Sequence, residues 1–390
     1  MKKFLVLVLS VCMLMSLCAC GGSKSNTADY KVAMITDYGD ITDQSFNQTT
    51  YEACKAFCEE NKVEFTYFKP EGDSTAQRVA MVDKAVDEGY NVIVMPGYAF
   101  GGTIVETSGE YPDVKFIALD VAAGDILEAG VTAKGGSYDY NPSNWNVKDY
   151  YNSDNVYCAI YQEELCGYMA GYAAVKLGYK ELGFLGGMAV PAVMRYGYGY
   201  VQGVDAAAKE LGINVSLKYA YGNQFYGDAD ITAAMDTWYA AGTDIVFACG
   251  GGIYQSAAEA AVKVGGKVIG VDVDQSGVID SKYGKGLTVT SAMKGLYPAT
   301  YDALKDIIIN GNWDNYKGKI VTLGLVSGTD PEANYVQIPM DTTQWADAFT
   351  QDNYKTLVAD MFNGKIKVSN DISKEPATSN VKVEWLGNIK

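Results

Sequence analysis

The chain has 390 residues, 48% of them hydrophobic, enough to bury the cores of about two domains. Its formal charge of −16 opposes direct binding to nucleic-acid backbones or anionic membrane surfaces. It has no histidine, which excludes Ser-His-Asp and Cys-His nucleophile systems and His-ligated metal sites, while its 30 tyrosines suit surfaces that bind flat or hydroxyl-rich ligands as well as cores.

Lys2 and Lys3 precede an apolar run from Phe4 to Cys18 that is too short and wrongly flanked for a bilayer span and reads as an export signal. It ends in Leu17-Cys18-Ala19-Cys20, followed by a Gly/Ser stretch. This resembles a bacterial lipoprotein signal, with Cys18 where a small or hydroxylated residue is usual. The resemblance implies a signal over 1–19, acylation of Cys20, a flexible tether over 20–29 and a body anchored by lipid on the extracytoplasmic face of the cell membrane. The alternative is an ordinary cleaved secretory signal. Cys54, Cys58, Cys158, Cys166 and Cys249 follow without any CxxC spacing, so they read as buried small apolar residues rather than metal ligands.

From residue 31 short apolar runs at 32–36, 63–68, 91–97 and 114–120 alternate with helical-period stretches at 45–61 and 74–88. A polar, Asn- and Tyr-rich loop covers 135–154, and the pattern then restarts with a long helix expected over 156–177. Strands at 182–187, 215–221, 244–250 and 267–274 alternate with helices at 192–211, 229–241 and 254–264. A strand at 287–294, a helix at 297–310 and a last helix at 343–362 complete the chain. Such alternation predicts an α/β fold of two lobes, each a parallel sheet flanked by helices, around one cleft. The expected lobes are 30–155 and 156–286, with 287–330 returning to the first and 331–390 closing both.

Ligands of open parallel sheets sit beyond the carboxyl ends of the strands. Those ends carry Asp37, Gly97 with Tyr98, Asp120, Gly186 with Gly187, the glycines 250–252, and Asp272 with Asp274. Carboxylates, glycines and aromatics dominate and basic residues are nearly absent, which suits a neutral, hydroxyl-bearing, flat molecule better than a phosphate.

"TDYGDITDQSFNQ", "GFLGGMAVPAVMRYGYGYVQG", "VIGVDVDQS" and "TSAMK" resemble the basic membrane protein family of substrate-binding lipoproteins, the purine nucleoside receptor group of bacterial ABC importers. The resemblance runs from the lipid-attachment cysteine to the C-terminal strands and implies a two-lobed type I periplasmic-binding-protein fold with the ligand enclosed at the hinge. It also implies residue roles: Asp37 bonding the base, Phe46 stacking on it, and Asp272 and Lys294 reaching the ribose. Phe225 is the expected second stacking aromatic, with Tyr226 as its competitor, and Tyr196 stands where a phenylalanine is usual. Asn47, Gly97, Asp120, Met188 and Gly250 complete the expected lining. The implied partners are a nucleoside, an ABC permease and its ATPase. A monomer that touches the membrane only through its lipid and binds no nucleic acid is expected, with no cofactor, metal or catalytic residue.

Plainer readings compete at several positions. Asp43 fits an N-cap and Phe46 a first core residue of its helix. The glycines 250–252 lack a following GK[ST] and read as close helix–strand packing, and the tyrosines of the 196–200 run read as interlobe packing, Tyr196 excepted. The same fold could hold riboflavin or a sugar, and the acid pairs Asp37/Asp40 and Asp272/Asp274 leave a nucleoside hydrolase as a third class, although neither carries a metal-site pattern.

Overall fold

The structure, a computed structural model, describes residues 27–390, so the export signal and Cys20 lie outside the described residues. β1 (Lys31–Ile35), β2 (Glu64–Phe68), β3 (Val92–Pro96), β4 (Lys115–Leu119), β5 (Val156–Tyr161) and β11 (Lys319–Leu323) form one sheet, ordered β11-β5-β4-β3-β1-β2 and parallel throughout. Side chains alternate between its faces, as the period of two requires. Val32, Met34, Val92 and Val94 pack with Phe57 on one side, while Ala33, Ile35, Ile93 and Met95 pack with Val82 and Phe100 on the other. Helices on both faces explain why these strands read as continuous apolar runs.

The second sheet contains β6 (Glu181–Gly186), β7 (Val215–Tyr221), β8 (Ile245–Cys249), β9 (Lys267–Asp272), β10 (Thr288–Lys294), β12 (Val336–Gln337) and β13 (Val381–Asn388). Its order is β12-β10-β9-β8-β6-β7-β13, and only β12 runs antiparallel to its neighbour.

These pairings move three expected boundaries. Residues 156–161 are a strand of the first sheet, paired with β4 and β11, and the helix begins only at Glu163. VYCAIY is rich in β-branched and aromatic residues, and burial at nearly every position hides the change of period at Gln162. Residues 288–294 complete the second sheet rather than returning to the first. The return comes with the helix Leu296–Leu304, whose Tyr301 ring meets Phe57 at 5.8 Å, and with β11. Residues 331–390 add an edge strand at each side of the second sheet, and their helix starts at Gln351, capped by Thr350, instead of at 343. The run 196–200 differs too: Tyr198 packs on Trp385 and Tyr200 on Phe247, inside the second lobe rather than between lobes.

The chain crosses between lobes three times, and the crossings are tied to one another. The Gln162 N–H donates to the Leu323 carbonyl (2.9 Å), Tyr335 N–H to Gly324 (3.0 Å) and Gly295 N–H to Tyr335 (2.7 Å). Beside them the helices Glu163–Lys176 and Pro191–Leu211 cross in backbone contact, because Gly167, Gly171, Gly199 and Gly203 carry no side chain there; a Cβ on Gly199 would collide with the Glu164 carbonyl. Gly199→Ala is therefore expected to lower stability by about 1–3 kcal/mol, read as a lower thermal unfolding midpoint. An unchanged midpoint would mean the two helices can separate freely.

Candidate ligand-binding cleft

Loops beyond the carboxyl ends of both sheets meet around a cavity of about 400 Å³. The first lobe contributes Asp37, Phe46, Asn47, Gly97 and Asp120, and the second contributes Tyr196, Phe225, Gly250, Asp272 and Lys294. Met188 is the expected lining residue that the structure does not place there. Its sulfur instead accepts from the hydroxyl of Tyr38, a lining residue of the other lobe, at 3.7 Å.

The turn from β1 into the helix Phe46–Asn61 divides its polar groups between structure and cleft. Asp43 is the cap: its Oδ1 accepts the N–H groups of Ser45 (2.9 Å) and Gln48 (3.1 Å), and its Oδ2 accepts Asn47 N–H (2.9 Å) and Asn47 Nδ2 (3.2 Å). Burial raises its pKa to about 6 against those bonds. Relieved of capping, Ser45 donates its hydroxyl across the cleft to Asp272 Oδ2 at 2.6 Å. Asp37 uses one oxygen, Oδ1, to accept from Tyr38 N–H (2.7 Å), Gly39 N–H (2.8 Å) and Asn47 Nδ2 (3.3 Å). Burial nevertheless pushes its pKa above the usual carboxylate range. Gly97 faces it with φ of 129°, and a Cβ there would stand 3.3 Å from the Asp37 Cβ.

The other half of the cleft is an ionic cluster around Lys294 at the end of β10. Its ammonium lies 2.5 Å from Asp120 Oδ2 and 3.6 Å from both Asp272 Oδ1 and Glu163 Oε1. Burial alone would lower the Lys294 pKa, but the three carboxylates outweigh it and raise it. Asp120 and Asp272 both follow or end strands with left-handed φ, 59° and 65°, a conformation Asp tolerates better than most residues. Tyr196 donates to Asp272 Oδ1 at 3.2 Å, the gain from its hydroxyl over a phenylalanine. Glu163 is fully buried and also accepts from Arg195 Nε at 2.6 Å; burial raises its pKa against the pull of Arg195 and Lys294. One oxygen of Asp120 and one of Glu163 are buried with no hydrogen-bond partner.

Aromatic rings enter from both lobes. The Lys294 ammonium stands 4.6 Å from the centre of the Phe46 ring, so Phe46 faces the cleft while packing on the core behind it. Phe225 lies against the backbone of Gly187 and Gly250, where a side chain would strike its ring. Tyr226 also lines the cavity and is 58% exposed. Among the described residues, no ring packs against Phe46 or Phe225.

Of the two acid pairs, Asp37 and Asp40 both line the cavity, Asp40 in an ion pair with Lys69 (2.8 Å), whereas Asp274 lies outside the lining and accepts from Thr342 (2.7 Å). Sequence reasoning missed Glu163, Arg195 and the interlobe bond of Ser45. Reading 156–177 as one helix removed the strand end that would have marked Glu163.

The family model for the PnrA-like ABC transporter substrate-binding proteins matches residues 30–365. A Lactococcus lactis protein named ABC transporter nucleoside-binding protein BmpA is 26% identical over 369 residues, 90% of this chain and 92% of that protein. Basic membrane protein B of Borreliella afzelii is 27% identical over 316 residues, 79% of this chain and 82% of that one. Two solved ABC solute-binding proteins share the fold. The one from Aeropyrum pernix has a TM-score of 0.62 at 21% identity, covering 88% of each chain. That from Conexibacter woesei has 0.60 at 19%, covering 87% of this chain and 99% of the other. The chain belongs to the Bmp family of PnrA-like substrate-binding proteins of ABC transporters.

Proposed function

We propose that this substrate-binding protein captures nucleosides, with a purine stacked between Phe46 and Phe225, Asp37 accepting from the base, and Asp272 and Lys294 holding the ribose. The observation that carries the reading is the pair of half-buried rings, one from each lobe, without aromatic partners, in a cavity that also holds the Asp120–Lys294–Asp272 cluster. Stacking is worth roughly 1–3 kcal/mol per base, and bonds from a cis-diol to a carboxylate are charge-assisted. Ser45 to Asp272 and Lys294 to Asp120 already span the lobes, so hinge closure over a ligand is built from the residues that would bind it. In this reading the ligand is delivered intact to a permease and its ATPase. A lipid on Cys20 holds the monomer at the extracytoplasmic face.

Calorimetric titration of residues 21–390, stripped of ligand by unfolding and refolding, tests this with inosine, guanosine, adenosine, cytidine and riboflavin. One purine nucleoside per chain, recovered unchanged, is the expected result. Silence on nucleosides with a riboflavin or sugar signal would keep the importer role and overturn the ligand. Asp272→Ala should weaken ribonucleosides more than 2′,3′-dideoxy analogues, and equal losses would remove the diol assignment.

A further inference from the structure

The polar groups nearest Asp37 leave acceptors and few donors for a bound ring. Tyr38 and Gly39 spend their N–H groups on Asp37 Oδ1, and Ser45 spends its hydroxyl on Asp272. Asn47 points Nδ2 at two carboxylates, Asp37 (3.3 Å) and Asp43 (3.2 Å), which fixes the amide: the flipped form would set Oδ1 against both. Its Oδ1 is buried without a partner, and Asp37 Oδ2 makes no hydrogen bond within the protein. The Tyr38 hydroxyl donates to the Met188 sulfur and is left an acceptor, while that of Tyr98 can donate or accept and so does not discriminate.

From this we infer that the cleft selects a purine whose edge presents adjacent donors, as the N1–H and 2-amino group of guanine do, and that it takes adenosine only together with a proton. The inference rests on the nucleoside reading and assigns base choice to Asp37 and Asn47. Guanine can give both donors to acceptors. Hypoxanthine gives one, and adenine turns its N1 lone pair toward a carboxylate unless a proton lies between them.

The groups facing Asp37 are Arg78, with Nη1 3.5 Å from the Asp37 carbonyl and 2.7 Å from Asp73, the Tyr38 and Tyr98 hydroxyls, and Asn47 with Asp43 behind it. Burial raises both tyrosines, which stay neutral, and raises Asp37 above the usual carboxylate range, against the bonds it accepts from Tyr38, Gly39 and Asn47. Burial raises Asp43 as well, to about 6, but four bonds at the start of its own helix occupy it.

Titration calorimetry with guanosine, inosine and adenosine, at about pH 8 and about pH 5.5 in buffers of different ionisation enthalpy, reads both affinity and proton uptake. At the higher pH guanosine should bind about ten-fold or more tighter than adenosine, with inosine between. Adenosine should take up one proton and guanosine none, so the gap narrows at the lower pH. Asp37→Asn keeps one oxygen for the three bonds at Oδ1 and offers an amide donor at Oδ2; it should favour adenosine and abolish the proton uptake. Adenosine equal to guanosine at about pH 8 without proton uptake, all three being bound, would overturn the inference and leave the nucleoside reading standing. Failure of every purine nucleoside to bind would overturn both. The wild-type proton count decides the matter even where Asp37→Asn does not fold.

Discussion

Lys294→Met is expected to be the most damaging single change in the cleft, costing about 3–5 kcal/mol of stability and abolishing ligand binding. The ammonium is buried and stands within 3.6 Å of Asp120, Asp272 and Glu163, so its removal leaves three buried carboxylates with Arg195 on Glu163 as the remaining cation. The sign of the pH dependence follows. Burial already raises the Glu163 pKa in the folded protein, and without Lys294 the folded state binds protons more tightly still than the unfolded chain does. The stability of the variant therefore falls as pH rises from the ordinary glutamate pKa through the raised folded one, and its deficit against the parent narrows in acid. Thermal unfolding of both proteins across a pH series checks this. A deficit that does not change with pH would mean the carboxylates find other partners once the lysine is gone.

Phe46→Ala is expected to weaken purine nucleoside binding by about ten-fold or more, the loss of one stacking face. Stability should fall by less than the roughly 3–5 kcal/mol typical of a fully buried phenylalanine, because the half-buried ring gives up its contact with the Lys294 ammonium, worth about 0.5–2 kcal/mol, and only part of its packing on the core. Calorimetric affinity and the unfolding midpoint of the unliganded variant separate the two effects. A large fall in the midpoint with affinity preserved would return Phe46 to the core. The contrast with Asp43 is instructive: both residues belong to one turn, yet the carboxylate with four bonds to its own helix serves the fold while the ring without an aromatic partner faces the cleft.

Much of this architecture was legible in the sequence. Alternating apolar runs and helical periods depend on local burial, and strand ends in a parallel sheet must face the cleft, so Asp37, Gly97, Asp120, Gly250 and Asp272 could be placed around one cavity before any distance was known. The motif resemblance added Phe46, Phe225 and Lys294. What failed was lobe membership. VYCAIY, read as the start of a helix, and TVTSAMK are buried strands that would suit either sheet, and which sheet each joined was set by crossovers at Gln162 and Gly295 that leave no local periodic mark.

Pairings distant along the chain were equally invisible. Nothing local in the sequence marks Ser45, and only the approach of the second lobe, 227 residues away, turns its hydroxyl to Asp272. Glu163 and Arg195, 32 residues apart, become neighbours because glycines let their helices cross in backbone contact. Met188 sits in a matching motif, yet its sulfur ends against Tyr38 outside the cavity. The sequence by itself thus determined most of the elements, the α/β class and the residue types at the strand ends, because periodicity and propensity are local. The tertiary structure alone decided sheet membership, the Lys294 cluster and the division of labour within the first turn, because charge pairing and hydrogen bonding depend on distances that only the packed lobes define.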